Sequence, residues 1–140
     1  MDEIERQVMT MLLAGTHPTL AVLRAQYEAA TVVGRAFTGV GVFTDFVVPP
    51  NVPRTEPHNV TFGDVAFELE GTENGGSVVL FVRDGALKML ELFNWTDKWP
   101  ETPALRTITY MAVKRRLQGG GKEVEPASLR DVAELERELA

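Results

Sequence analysis

The 140-residue chain contains no cysteine. Disulfides, thiol nucleophiles and cysteine-ligated metals are therefore excluded. Histidine is scarce as well: His17 and His58 are the two. Neither has a second histidine or an acidic residue at zinc-ligand spacing, so no metal site and no cofactor are expected. No apolar run approaches the roughly 20 residues that cross a membrane as a helix, and no membrane partner is expected. The opening Asp2-Glu3-Ile4-Glu5-Arg6 is acidic, with no basic segment ahead of an apolar one. A secretory signal is not expected there, and the cytoplasm is the expected compartment.

Positive charge is the minority sign. Lys and Arg number 14 against 20 Asp and Glu, for a formal net charge of -6. A general nucleic-acid binder draws its affinity from phosphate neutralisation, so this balance argues against one. Lys114-Arg115-Arg116, the one dense basic run, reads as a solvated strand end. A basic protein partner suits an acidic surface better, through electrostatic steering. Signatures of catalysis are missing too. No serine stands in a Gly-x-Ser-x-Gly elbow. Gly39-x-Gly41 and Asn74-Gly75-Gly76 read as turns, since neither opens a helix after a strand to cradle phosphate.

What the chain does contain is a foldable pattern. A hydrophobic fraction of 44% with 24% charged residues is globular in kind, and the length suits one domain over residues 1–140. Ile4, Val8, Met11 and Leu12 recur at helical spacing, and Gly15 is a natural stop. Thr16-His17-Pro18 supplies a cap and an early-turn proline for a second helix, with Leu20, Leu23, Tyr27 and Ala30 as its apolar stripe. The short link suggests an antiparallel helical pair.

At Thr31 the period falls to two. A three-residue hairpin loop with Gly41 in the left-handed position would pair Phe37 with Phe43, Arg35 with Asp45, and Val33 with Val47. Such pairs each contribute roughly 0.2–1 kcal/mol. Pro49, Pro50, Pro53 and Pro57 keep residues 49–59 out of any central strand, so this stretch reads as an extended crossing, either a lid or a connector. A three-strand meander follows. Asp84-Gly85 is its strongest turn signal and would pair Arg83 with Ala86, Val82 with Leu87, Leu80 with Met89, and Val78 with Glu91. Leu105–Val113 reads as a further strand. Gly119-Gly120-Gly121 reads as a flexible hinge before a C-terminal helix, which Ser128-x-x-Asp131 would cap and Leu129, Val132, Leu135 and Leu139 would dock. The predicted fold is α+β: an N-terminal helical pair on a mainly antiparallel sheet of five or six strands, with a C-terminal helix.

Glu91 stands out. Alternation puts Leu87, Met89, Glu91, Phe93 and Trp95 on one face, so a carboxylate interrupts an apolar row. It must be paired, sit at a pocket rim, or be neutralised. Arg35 is its natural partner, and with Asp45 the three would form a carboxylate–guanidinium–carboxylate cluster, structural or ligand-binding. Glu68, Glu70, Glu73 and Asp64 form an acidic group around the meander's first strand, a solvated face or a docking patch without the cleft that paired-carboxylate catalysis needs. Trp95 and Trp99 flank Asp97-Lys98, where they would either mark a binding surface or pin the loop.

Gly41-Val42-Phe43-Thr44-Asp45-Phe46, Phe62-Gly63-Asp64-Val65, Val79-Leu80-Phe81 with Asp84-Gly85, and Leu90-Glu91 followed by Trp99-Pro100 together resemble a group of small bacterial proteins of unassigned function. Some single-domain α+β proteins of that kind act as immunity partners of toxins. The resemblance spans roughly residues 39 to 100 and lies in turn and strand punctuation. In the related pattern Leu90-Glu91 is followed by glycine and an aromatic, whereas Leu92-Phe93 stands here. No functional residue is carried over from it.

Two functions remain open on these residues. The first is a non-enzymatic protein-binding domain of immunity or regulatory type, meeting a basic partner through Glu68, Glu70, Glu73, Trp95, Asp97 and Trp99. The alternative is a small-molecule binding or hydrolytic domain with a polar pocket at Arg35, Asp45 and Glu91. A homo-oligomer using an exposed sheet edge is a third possibility.

Overall fold

The computed structural model describes residues 2–140. Asp2 begins the first helix, α1 (Glu3–Leu12), by accepting the Glu5 backbone N–H on Oδ1 at 2.9 Å. His17 does the same for α2 (Pro18–Ala29), its Nδ1 accepting the Thr19 N–H at 3.1 Å, with Pro18 as first helical residue. Eight strands follow: β1 (Thr31–Phe37), β2 (Gly41–Val47), β3 (Val60–Phe62), β4 (Val65–Leu69), β5 (Gly76–Arg83), β6 (Ala86–Asn94), β7 (Leu105–Arg116) and β8 (Lys122–Ala127), and the chain ends with α3 (Val132–Glu138).

All pairings are antiparallel, in the order β1-β2-β6-β5-β4-β7-β8, with β3 also on β5. The class is α+β, as read from the pattern, but the sheet has eight strands rather than five or six. The additional two are β3, only three residues long, and β8, whose Pro126 and charge content hid it. Proline is tolerated there because β8 is an edge strand. The helices lie along the sheet on separate seats, α1 against β4 and β7, α2 against β6 and α3 against β3.

One face of the sheet is buried beneath the helices. Phe46, Phe62, Val65, Phe67, Leu69, Val78, Leu80, Val82, Leu87, Leu90 and Leu92 join Ile4, Val8, Met9, Leu12, Leu20, Leu23, Leu135 and Leu139 in one hydrophobic cluster. The opposite face carries half-buried side chains, among them Phe43, Asp45, Val79, Phe81, Met89, Glu91 and Phe93.

Registers correct the sequence reading at two places. In the β1–β2 hairpin Arg35 faces Thr44, Ala36 faces Phe43 and Gly34 faces Asp45, with a bulge between Val32 and Gly34. Arg35 and Asp45 are therefore not opposed. Gly39, at φ 94, holds the left-handed position assigned to Gly41. Gly41 instead sits in the strand, where an added Cβ would lie 2.0 Å from the Leu92 carbonyl oxygen. In the β5–β6 hairpin, Arg83–Ala86 and Val82–Leu87 pair as expected. A bulge at Lys88 then shifts the register, so that Leu80 faces Leu90, Val79 faces Glu91 and Val78 faces Leu92. Met89 and Glu91 thereby move to the open face, and Leu90 and Leu92 to the core.

Three further readings change. Gly119-Gly120-Gly121 forms the tip of the β7–β8 hairpin, closed by the Leu117 N–H on the Gly121 carbonyl at 2.8 Å. The α3 cap is Asp131, accepting the Glu134 N–H at 3.1 Å, rather than Ser128. Leu135 and Leu139 dock this helix, while Leu129 and Val132 remain exposed. The proline-rich stretch forms no strand and is fastened at both sides: Gln26 Nε2 donates to the Pro53 carbonyl at 2.9 Å, and the Thr55 N–H donates to the Gly85 carbonyl at 2.9 Å.

Candidate functional site

The sheet divides the three residues expected to share a pocket. Arg35 alternates onto the helix side, where its Nη2 meets Glu5 Oε2 at 2.8 Å; Thr44 Oγ1 donates to Glu5 Oε1 at 2.9 Å. Asp45 and Glu91 are on the other side of the same sheet, following the odd positions of β2 and β6. No pocket of Arg35, Asp45 and Glu91 exists.

Glu5 is the buried charge that the sequence reading missed. Its side chain is 1% exposed, and burial pushes its carboxyl above the ordinary value, against the Thr44 hydrogen bond and the Arg35 guanidinium, which pull it down. The only sequence signal was its place beside Ile4, on the stripe of α1 that faces the sheet. Glu5 and Arg35 floor a cleft of about 410 Å³, flanked by Phe37, Trp99 and Glu101.

The open face carries the other candidates. Cross-strand register sets Phe43, Glu91 and Val79 in one row, and Asp45, Met89 and Phe81 in the next. Gly41, Phe93, Ser77, Ala66 and Thr109 make a third. Glu91 is thus ringed by Phe43, Val79, Met89 and Phe93, with Asp45 on its diagonal. Burial raises its carboxyl above the ordinary range. Among the described residues, neither Glu91 nor Asp45 has an ion pair or side-chain hydrogen bond. Arg83, at the end of β5, stacks over Phe81 at 5.4 Å and bonds to Val60 and Thr61.

Beyond the third row lies a groove of about 240 Å³, lined by Glu68, Glu73, Asn74, Trp95, Thr107 and Met111 among others. Trp95 is 53% exposed and oriented by its indole N–H, which donates to Ser77 Oγ at 2.9 Å. Asp97 holds the facing loop by accepting the Asn74 N–H at 2.9 Å.

The partner-facing candidates therefore separate. Glu68, Glu73 and Trp95 share this groove, with Asp97 at its rim. Glu68 is engaged by Arg106 at 2.7 Å and by Thr107, and those hydrogen bonds lower its carboxyl. Glu70 is exposed beside the groove-forming loop. Trp99 turns the other way, edge-on to Phe67 at 5.9 Å between centroids, and pins its loop to the core. Asp64 leaves the acidic group as well, forming a bidentate pair with Arg130.

Among the described residues no three histidine, aspartate or glutamate side chains converge to hold a metal ion, and no helix is long and apolar enough to cross a membrane. Comparison with known proteins finds no matching family model, no significantly similar curated sequence and no significantly similar solved structure.

Proposed function

We propose that the chain is a non-enzymatic protein-binding domain, acting in the bacterial cytoplasm, whose basic partner docks on the open face of the sheet beside Trp95. The observation that carries this reading is Trp95 itself. An indole 53% exposed, yet fixed by a hydrogen bond to Ser77, offers contact area at little entropic cost, the property of interface anchors. Glu73 and Asp97 add negative charge around it, and the net charge of -6 favours encounter with a basic surface. Neutralisation of a toxin, in the manner of an immunity protein, is the most concrete form of this function. Acidic residues would then stand in for the toxin's negatively charged substrate, and occlusion would be the mechanism.

The test begins with capture of partners from a native lysate at low and physiological salt, followed by calorimetry on the purified partner. Glu70→Lys with Glu73→Lys, and separately Trp95→Ala, should each weaken binding by roughly 1–3 kcal/mol, the range of interface anchors. Unchanged affinity in both variants sinks this interface.

The small-molecule alternative retains only Arg35 of its original set. What favours it is the cleft over Glu5, where a buried carboxylate and a guanidinium lie between Phe37 and Trp99. It predicts ligand-induced fluorescence change at Trp99 that Arg35→Ala abolishes and Glu91→Gln leaves intact.

A further inference from the structure

The protein-binding reading leaves the centre of the open face without a role, and the following inference rests on that reading. We propose that this centre receives a lysine or arginine side chain of the protein partner, seated on Glu91 and Asp45 and flanked by apolar residues of the same partner.

Two observations lead there. The first is the charge left over on the face. Glu91 and Asp45 lie on a cross-strand diagonal, roughly 7 Å apart by the geometry of neighbouring strands, which one guanidinium fork or ammonium group can span. Among the described residues neither carboxylate has an ion pair or a side-chain hydrogen bond. Other acids of the chain show the contrast: Glu68 in β4 has Arg106, Glu123 in β8 has Arg115, and Glu134 in α3 has Arg116 and Lys122. Glu91 and Asp45 are also the carboxylates that stand among aromatic and methionine side chains rather than at a strand end.

The second is the composition around them. Phe43, Phe81, Met89 and Phe93 are half-buried on this face, and aromatic residues and methionine are the types enriched in interface centres. An apolar ring around an acidic centre matches a partner with the reverse pattern, a long basic side chain between apolar ones. The aliphatic stem of lysine or arginine would cover the ring while its head meets the carboxylates.

The same charges argue against the other occupants. A second copy docking face to face about a twofold axis near Glu91 would bring two Glu91 and two Asp45 carboxylates together at the centre, with Arg83 held to one side over Phe81. Neither residue lines the Glu5 cleft or the Trp95 groove, the cavities a small molecule would enter on the readings above.

The experiment is a titration of the isotope-labelled full chain with the blocked peptide Ac-Val-Arg-Val-Arg-Val-NH2, followed by amide shifts, with the Glu-for-Arg peptide as control. Light scattering is recorded on the same samples. The expected result is a set of shifts centred on Phe43, Asp45, Met89 and Glu91 for the arginine peptide alone, with affinity about tenfold weaker in Glu91→Gln. A retained amide spectrum shows that this variant is folded. Shifts confined to Trp95, Asn74 and Asp97 overturn the inference and leave the protein-binding reading standing. Absence of shifts anywhere, or equal shifts with the control peptide, overturns it as well. Wild-type dimers whose contacts map to this face assign it to a second copy and overturn it. Dimers formed by Glu91→Gln but not by wild type support it.

Discussion

Glu5 and Arg35 meet at 2.8 Å where α1 crosses the start of the sheet, the carboxylate 1% exposed and the guanidinium 30%. A buried carboxylate needs its partners, so removing one costs more than the pair contributes. Arg35→Ala should destabilise the fold by about 1–2 kcal/mol at neutral pH, below the usual figure for a buried pair because the guanidinium is partly solvated. Burial holds the Glu5 carboxyl above its ordinary value in the folded state. A raised carboxyl binds its proton more tightly when folded, so its contribution to stability is lost as pH rises through the folded value. Without Arg35 that value rises further. The deficit of Arg35→Ala should therefore shrink as pH is lowered towards about 4.3, the unperturbed glutamate value. Urea denaturation at several pH values measures this. A deficit that stays constant with pH would show that Arg35 acts by packing alone.

Glu91 obeys the same sign, with no ion-pair partner among the described residues to offset it. Desolvation raises its carboxyl in the folded state, so ionisation at neutral pH opposes folding. Glu91→Gln should stabilise the chain by about a few tenths of a kcal/mol at pH 7, discounted for solvent screening on a half-exposed face. The gain should vanish on acidification. A clear loss of stability at pH 7 would reveal a structural partner for Glu91.

Why the sequence misplaced Glu91 has a physical answer. The anomaly itself was legible, as were the Asp84-Gly85 turn and the first two pairs beyond it. Alternation read forward from that turn assumes one residue per rung. The bulge at Lys88 inserts one more, and every later side chain changes face. In the β1–β2 hairpin the offset arises at the turn itself: with Gly39 rather than Gly41 in the left-handed position, Phe37 faces Val42 and Arg35 faces Thr44, and the bulge at Val33 lies beyond them. The lysine at the β6 bulge gives no local sign of the insertion. The helices and the core half of β4 and β5 depended on no such count, and they were readable; the exposure of Trp95 was left open between a binding surface and a pinned loop. Glu5 was hidden for another reason. A charged residue on an apolar helical stripe looks solvated until the facing strand supplies Arg35 and Thr44.

The hairpin glycines offer a test of that register. Gly39 carries φ 94 with open space around a would-be Cβ, whereas Gly41 backs onto Leu92 with its would-be Cβ 2.0 Å from a carbonyl oxygen. Gly39→Ala should cost about 1–2 kcal/mol, the left-handed penalty alone. Gly41→Ala must push β2 away from β6 and should cost about 3 kcal/mol or more, or prevent folding. Thermal melts of both variants decide it. Gly39→Ala as the more damaging of the two would mean that β2 and β6 are not paired in this register.

Arg130 fastens the C-terminal segment to the N-terminal half. Its guanidinium takes both oxygens of Asp64, at 2.7 and 2.8 Å, and donates to the Leu12 and Ala14 carbonyls at the end of α1. It also lies over Tyr110 and Phe62. The Arg130 and Asp64 side chains are 8% and 10% exposed, so the pair is screened little by solvent. Arg130→Ala leaves a nearly buried carboxylate and two unmet helix-end carbonyls, and should cost about 3 kcal/mol. Asp64→Asn combined with Arg130→Met removes both charges while filling part of the space, and should cost less than Arg130→Ala alone. Hydrogen exchange separates this from general weakening. In Arg130→Ala, amides of α3 and the end of α1 should lose protection before those of β5 and β6, because the clasp holds the periphery and the hydrophobic cluster holds the centre. Uniform loss across all elements would place Arg130 in the cooperative core instead.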